Sequence, residues 1–99
     1  MNKLGKEQIK KLKSMAHELK PVVYIGQKGI TDSLVASCGK ALSDHELIKA
    51  KFIDFKDKKQ ELTDELAEKC SAHIVNIIGN IAILYRENPE RDSESKIRI

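Results

Sequence analysis

Residues 21–31 read PVVYIGQKGIT, and the order of residue types in that stretch decides the fold. Pro21 ends whatever helix precedes it, because the residue before a proline avoids the α region. Val22, Val23, Tyr24 and Ile25 favour extended backbone. Thr31 is a good N-cap for a helix that opens at Asp32. The stretch therefore predicts a strand, a loop and a helix, and the loop carries two glycines where a turn needs at most one. Gly26-Gln27-Lys28-Gly29 removes the Cβ barrier on both sides of a polar pair, so a ligand can approach the backbone. The helix behind it offers unsatisfied N–H groups and the positive end of its dipole. A G-x-x-G loop in that position suits a phosphate, as in the KH domain, where such a loop clamps a nucleic-acid backbone.

Working outward, Ile9, Leu12, Ala16 and Leu19 recur at helical spacing and predict a first helix over residues 6–19. The first strand, 21–25, is apolar throughout, which suits a central position covered on both faces. Leu34, Val35, Cys38, Ala41 and Leu42 place a second helix over 32–43. In 46–53, Ile48, Ala50 and Phe52 face one way while Lys49 and Lys51 face the other, which is a strand. A third helix begins near Lys58 with Leu62, Leu66, Ala67 and Cys70 inward. Periodicity leaves its end open between Ala72 and Ile78. Gly79-Asn80 punctuates, 81–86 reads as a third strand, 87–95 as a long mobile loop, and 96–99 alternates as a short fourth strand. The order is α-β-α-β-α-β-β in a single 99-residue domain, an α/β fold without internal repeats.

The formal net charge of +3 conceals an asymmetry. Residues 1–29 carry seven lysines against Glu7 and Glu18, whereas residues 57–99 set seven bases against nine acids. On the first helix Lys3, Lys6, Lys10, Lys13, His17 and Lys20 fall in one stripe beside the apolar face, with both acids off it. Like charges at those spacings repel, so an unmixed stripe points to a polyanionic partner. Lys49, Lys51 and Arg86 could add to a phosphate-reading surface if the fold brings them to the loop.

Catalytic chemistry has little support. There is no P-loop or dinucleotide fingerprint, and His45-Glu46 lacks the second histidine of a zinc protease. No metal, cofactor or small-molecule substrate is expected. Cys38 and Cys70 read as two buried reduced thiols. No apolar run reaches membrane-span length, and a cytoplasmic location is expected. Met15, Tyr24, Phe52 and Phe55 read as core or near-core; with only four aromatics, a base-stacking platform is improbable and recognition of a backbone and its shape is favoured.

Several separated strings carry a family resemblance. AHELKPVVYIGQKGIT at 16–31 is followed by Ala41-Leu42, His45-Glu46-Leu47-Ile48-Lys49, Val75-Asn76-Ile77-Ile78-Gly79 and Leu84-Tyr85-Arg86. In that order they resemble the CRM domain, the chloroplast RNA splicing and ribosome maturation family, in its stand-alone bacterial YhbY-type form. The resemblance implies a compact two-layer sandwich with a four-stranded mixed sheet, similar to the C-terminal domain of translation initiation factor three. It also implies a monomeric RNA-binding protein that meets ribosomal RNA in large-subunit precursors and assists their maturation. By position, the RNA-binding residues would be Gly26, Gln27, Lys28 and Gly29, with basic support from Lys6, Lys10, Lys13, Lys20, Lys49, Lys51 and Arg86. An adaptor that docks on a ribosomal or assembly protein through the first helix is the competing expectation.

Overall fold

In a computed structural model, which describes residues 3–92, 94 and 96–99, four strands form one mixed sheet with helices on both faces. The order along the chain is α1 (Lys6–Ala16), β1 (Val23–Ile25), α2 (Asp32–His45), β2 (Leu47–Phe52), a 3₁₀ turn (Lys56–Lys58), α3 (Lys59–Cys70), β3 (His73–Ile78) and β4 (Ile81–Tyr85). Across the sheet the strands run β1-β2-β4-β3, with β1 and β2 parallel and the other neighbours antiparallel.

Each helix is placed by the face it buries. Cys38 and Leu42 of α2 and Leu66, Ala67 and Cys70 of α3 meet Ile48, Ala50 and Phe52 of β2 and Leu84 of β4 in one apolar cluster. Leu12 and Ala16 of α1 meet Leu47, Val75, Ile83 and Tyr85 in a second cluster on the opposite face. Leu12 has no exposed surface, and burying such a side chain contributes roughly 1.5–3 kcal/mol. The expected two-layer stacking thus gains a third layer, the single helix α1. Cys38 and Cys70 are buried free thiols. Burial, with Cys70 alongside, pushes the Cys38 thiol up to about 12, so it stays protonated at neutral pH.

Three expectations change. The 21–25 strand is an edge strand, not a central one: it keeps three residues, of which only Val23 and Ile25 are buried, while Tyr24 is 54% exposed. The segment left open after residue 72 is β3, so the strand at 81–85 is the fourth. A bulge hides β3 from the sequence. Val75 is an extra residue between the pairs Ile74↔Leu84 and Asn76↔Ile83, which leaves the two core-facing isoleucines, Ile74 and Ile77, three apart as in a helix. The end of α3 is equally quiet, because the left-handed C-cap is Ser71 (φ 55°) and not a glycine.

The expected strand at 96–99 is not one. The Ile97 N–H donates to Glu46 Oε1 at 2.9 Å, and Ile97 and Ile99 pack onto the α1 cluster. With its backbone donor used by a side chain, Ile97 cannot enter a ladder there. Ser93 and Ser95 of the expected loop lie outside the described residues.

Candidate nucleic-acid interface

The two-glycine loop sits at the exposed edge of the sheet, between the end of β1 and the start of α2. It closes as a turn, the Gly29 N–H donating to the Gly26 carbonyl at 3.0 Å. Gly29 has φ 67°, the left-handed region that favours glycine, and a Cβ there would touch the Phe55 ring. Gly26 differs: its φ is not positive and a Cβ would meet nothing within 4 Å. Its backbone is therefore open to approach from outside. Behind the turn, the Thr31 side chain accepts from Leu34 N–H at 3.0 Å and caps α2. Tyr24, the loop and the first turns of α2, including Ser33 and Ser37, line a cleft of about 700 Å³.

Tyr24 also faces a second surface. Cross-strand partners share a face, and the register Tyr24↔Lys51, Lys51↔Ile81, Ile81↔Ile78 draws one row across all four strands. At the usual strand spacing that row is about 15 Å long. It lies on the face that carries α1, whose cluster covers the other end of that face over Leu47, Val75, Ile83 and Tyr85 and reaches the row only at the half-buried Ile81. Tyr24 and Ile78 are more than half exposed, and Lys51 is exposed between them.

The orientation of α1 follows from its two flanks. Gln8 and Met15 lie on one side of the buried line Ile9, Leu12, Ala16, and each borders a hollow shared with Ile97. Those hollows also hold His73, Tyr85 and Leu47, the far end of the sheet from the loop. Lys6, Lys10 and Lys13 are on the other side of the line, at 100° per residue. That flank is turned away from the two hollows shared with Ile97, and Lys10 borders a shallow hollow with Ile99.

The sequence candidates divide on this geometry. Lys6, Lys10, Lys13, Lys28 and Lys51 are exposed and make no ion pair or side-chain hydrogen bond among the described residues. Lys49 is occupied: its Nζ donates to the Leu19 carbonyl at 2.9 Å and, more weakly, to that of His17. A cation on the carbonyls that follow α1 satisfies groups the helix leaves unpaired. Arg86 is occupied too, donating to the carbonyls of Cys70 and Gly39 at 2.7 Å and to Ser43 Oγ at 2.9 Å. It ties α2 to the end of α3. Because α1 ends at Ala16, Lys20 leaves the helical stripe and borders the groove with Val22, His45 and Arg91 on the other side.

Two features were missed. Tyr24 was expected in the core and is at the surface. Its hydroxyl donates to the Pro21 carbonyl at 3.3 Å, which holds the ring along β1. Lys56 and Lys58 follow Phe55, whose ring lies against Gly29, so two further exposed cations stand near the loop. The run Lys56-Asp57-Lys58-Lys59 was the available signal; its distance from residue 26 in sequence concealed its place in space.

No helix among the described residues is long and apolar enough to cross a membrane, and no three metal-ligating side chains cluster among them. The open surface combines a glycine-bracketed backbone turn, a helix N-terminus and unpaired lysines. It is suited to an anionic chain.

Known proteins resemble this chain in sequence and fold. The sequence model of the CRS1 / YhbY (CRM) domain matches residues 4–86. A probable RNA-binding protein of Pseudomonas aeruginosa is 41% identical, over 88% of this chain and 85% of its own length. An RNA-binding protein of Haemophilus influenzae is 37% identical over 91% of this chain and 92% of its own. The solution structure of a Staphylococcus aureus protein, described as a candidate RNA-binding protein, superposes with a TM-score of 0.79 at 31% identity, covering 97% of this chain and 100% of that one.

Proposed function

The chain belongs to the CRS1 / YhbY (CRM) domain family, and on that premise we propose that it binds ribosomal RNA in precursors of the large ribosomal subunit and assists their assembly. It acts as one domain and a monomer, in the cytoplasm, without catalysis or cofactor. The observation that carries this reading is the open Gly26–Gly29 turn beside lysines whose charges nothing in the fold uses. Phosphates enter at Gly26, where no side chain blocks the backbone, and meet Lys28 and the N-terminus of α2. Lys6, Lys10 and Lys13 neutralise a second stretch of the RNA backbone, with Lys51 between the two. Lys49 and Arg86 support the surface through the helices they hold. The family names of the relatives support RNA as the partner; the ribosomal precursor follows from the CRM resemblance.

The basic surface alone gives non-specific affinity of about 10⁻⁴–10⁻⁶ M at physiological salt. Recognition of the precursor therefore lies in the separation between the loop and α1. The test is sedimentation of the tagged protein across a ribosomal gradient with competing RNA. It should travel with large-subunit precursors and resist displacement by excess transfer RNA. Displacement by any RNA, with a normal ribosome profile in cells lacking the protein, would contradict the assignment.

A protein adaptor is the second reading, and one observation favours it: Met15, Leu19 and Val22 form an exposed apolar patch where α1 gives way to β1. An adaptor would bind purified ribosomal RNA weakly and would lose its partner when that patch is made polar.

A further inference from the structure

The row on the α1 face of the sheet, open at Tyr24, Lys51 and Ile78 and half-covered at Ile81, calls for an occupant. Tyr24 and Ile78, at its two ends, are 54% and 58% exposed, although Ile83, two positions from Ile81 on the same face, is buried in the α1 cluster. We propose that this row, Tyr24, Lys51, Ile81 and Ile78, is a docking strip for a short run of unpaired RNA nucleotides, whose bases lie on Tyr24 and the isoleucines. The proposal rests on the RNA-binding reading and adds the kind of RNA: a duplex or stem flanked by single strand.

Charge and chemistry select this occupant. A strip for an apolar helix would be rimmed by neutral or mixed residues; this one has the exposed Lys51 within it and shares its sheet face with α1, whose Lys6, Lys10 and Lys13 are exposed. A continuous RNA duplex offers phosphates and hydroxyls at its surface and keeps its base faces stacked inside, so it could use the lysines but not the strip. Unpaired nucleotides offer both an anionic backbone and exposed π-faces. Tyr24 links the two surfaces, since it borders the phosphate-sized cleft at the loop and begins the strip. Its ring is already held by the Pro21 carbonyl, so little freedom is lost when a base stacks on it.

The probes are a blunt RNA hairpin and the same hairpin with a single-stranded adenosine tail. Wild type should bind the tailed hairpin at least about fivefold more tightly than the blunt one, the lower end of what one stacked base contributes. Tyr24→Ala should remove that preference. Tyr24→Phe, which keeps the ring, should retain it. Ile78→Ser at the opposite edge should reduce it by a smaller factor. The chain has no tryptophan and Tyr85 is buried, so quenching of tyrosine fluorescence by the tail reports on Tyr24 directly. Equal affinity for both hairpins, or a preference that survives Tyr24→Ala, would overturn the strip while leaving RNA binding intact. Failure of wild type to bind either hairpin would instead overturn the RNA-binding reading and the strip with it.

Discussion

The two ends of the sheet are built from similar residues and use them in opposite ways. At the end formed by Leu47, Tyr85 and His73, the chain folds back over itself and its buried carboxylate is fully partnered. Glu46 is fully buried, yet its carboxylate accepts from Arg91 Nη1, from Ile97 N–H and from Asn88 N–H, each at 2.9 Å. Its own carbonyl receives the Arg86 N–H at 2.9 Å. Burial also holds the His73 imidazole below its ordinary value and pushes the Tyr85 hydroxyl up. At the other end, the side chains of Lys28, Lys51, Lys6, Lys10 and Lys13 have no such partners among the described residues. A basic residue is thus read by whether its donors are already used, not by its charge alone. Arg86 and Lys49 have spent theirs on backbone carbonyls; Lys6, Lys10, Lys13, Lys28 and Lys51 have not.

Variants can break this contrast at either end. The largest effect should come from Glu46→Ala, which strips Arg91 and two backbone N–H groups of their acceptor. Breaking a buried pair costs about 3–5 kcal/mol, read by urea denaturation, with RNA affinity of the folded fraction retained. A loss below about 1 kcal/mol would mean that the closed end is not held by this carboxylate. Arg86→Met comes next, at about 1.5–3 kcal/mol for its charged hydrogen bonds, again in stability and not in RNA binding beyond what unfolding explains. If RNA affinity fell first, Arg86 would belong to the open end. Gly26→Asp should do the reverse: stability within about 0.5 kcal/mol of wild type, and at least tenfold weaker RNA binding, about 1.4 kcal/mol. Unchanged affinity would remove the loop from the interface.

The open end was largely legible in the sequence, and the closed end was not. The strand–loop–helix at 21–31, the capping Thr31 and the lysine stripe are local patterns, and local patterns survive in one dimension. What failed had non-local or unlabelled causes. Glu46, Phe55 and Ser71 take positive φ where a glycine would have announced the turn. The β3 bulge gave two isoleucines a helical spacing. The tail at 96–99 depends on a carboxylate fifty residues earlier, and the surface place of Tyr24 depends on how far α1 reaches across the sheet. Nor could the sequence show that Arg86 and Lys49 point at carbonyls, since a lysine that caps a helix and one that awaits a phosphate look alike in a string.

The most direct test of the contrast is the salt dependence of RNA binding. Binding of purified ribosomal RNA should be measured over a range of salt for wild type and for Lys6→Gln/Lys10→Gln/Lys13→Gln. Each lost phosphate contact should flatten the plot of log affinity against log salt by about 0.7–0.9 units, so the triple variant should lose about 2 units of slope with its fold unchanged. A triple variant whose plot runs parallel to wild type would contradict the account, because lysines left unpaired by the fold would then be idle in binding as well.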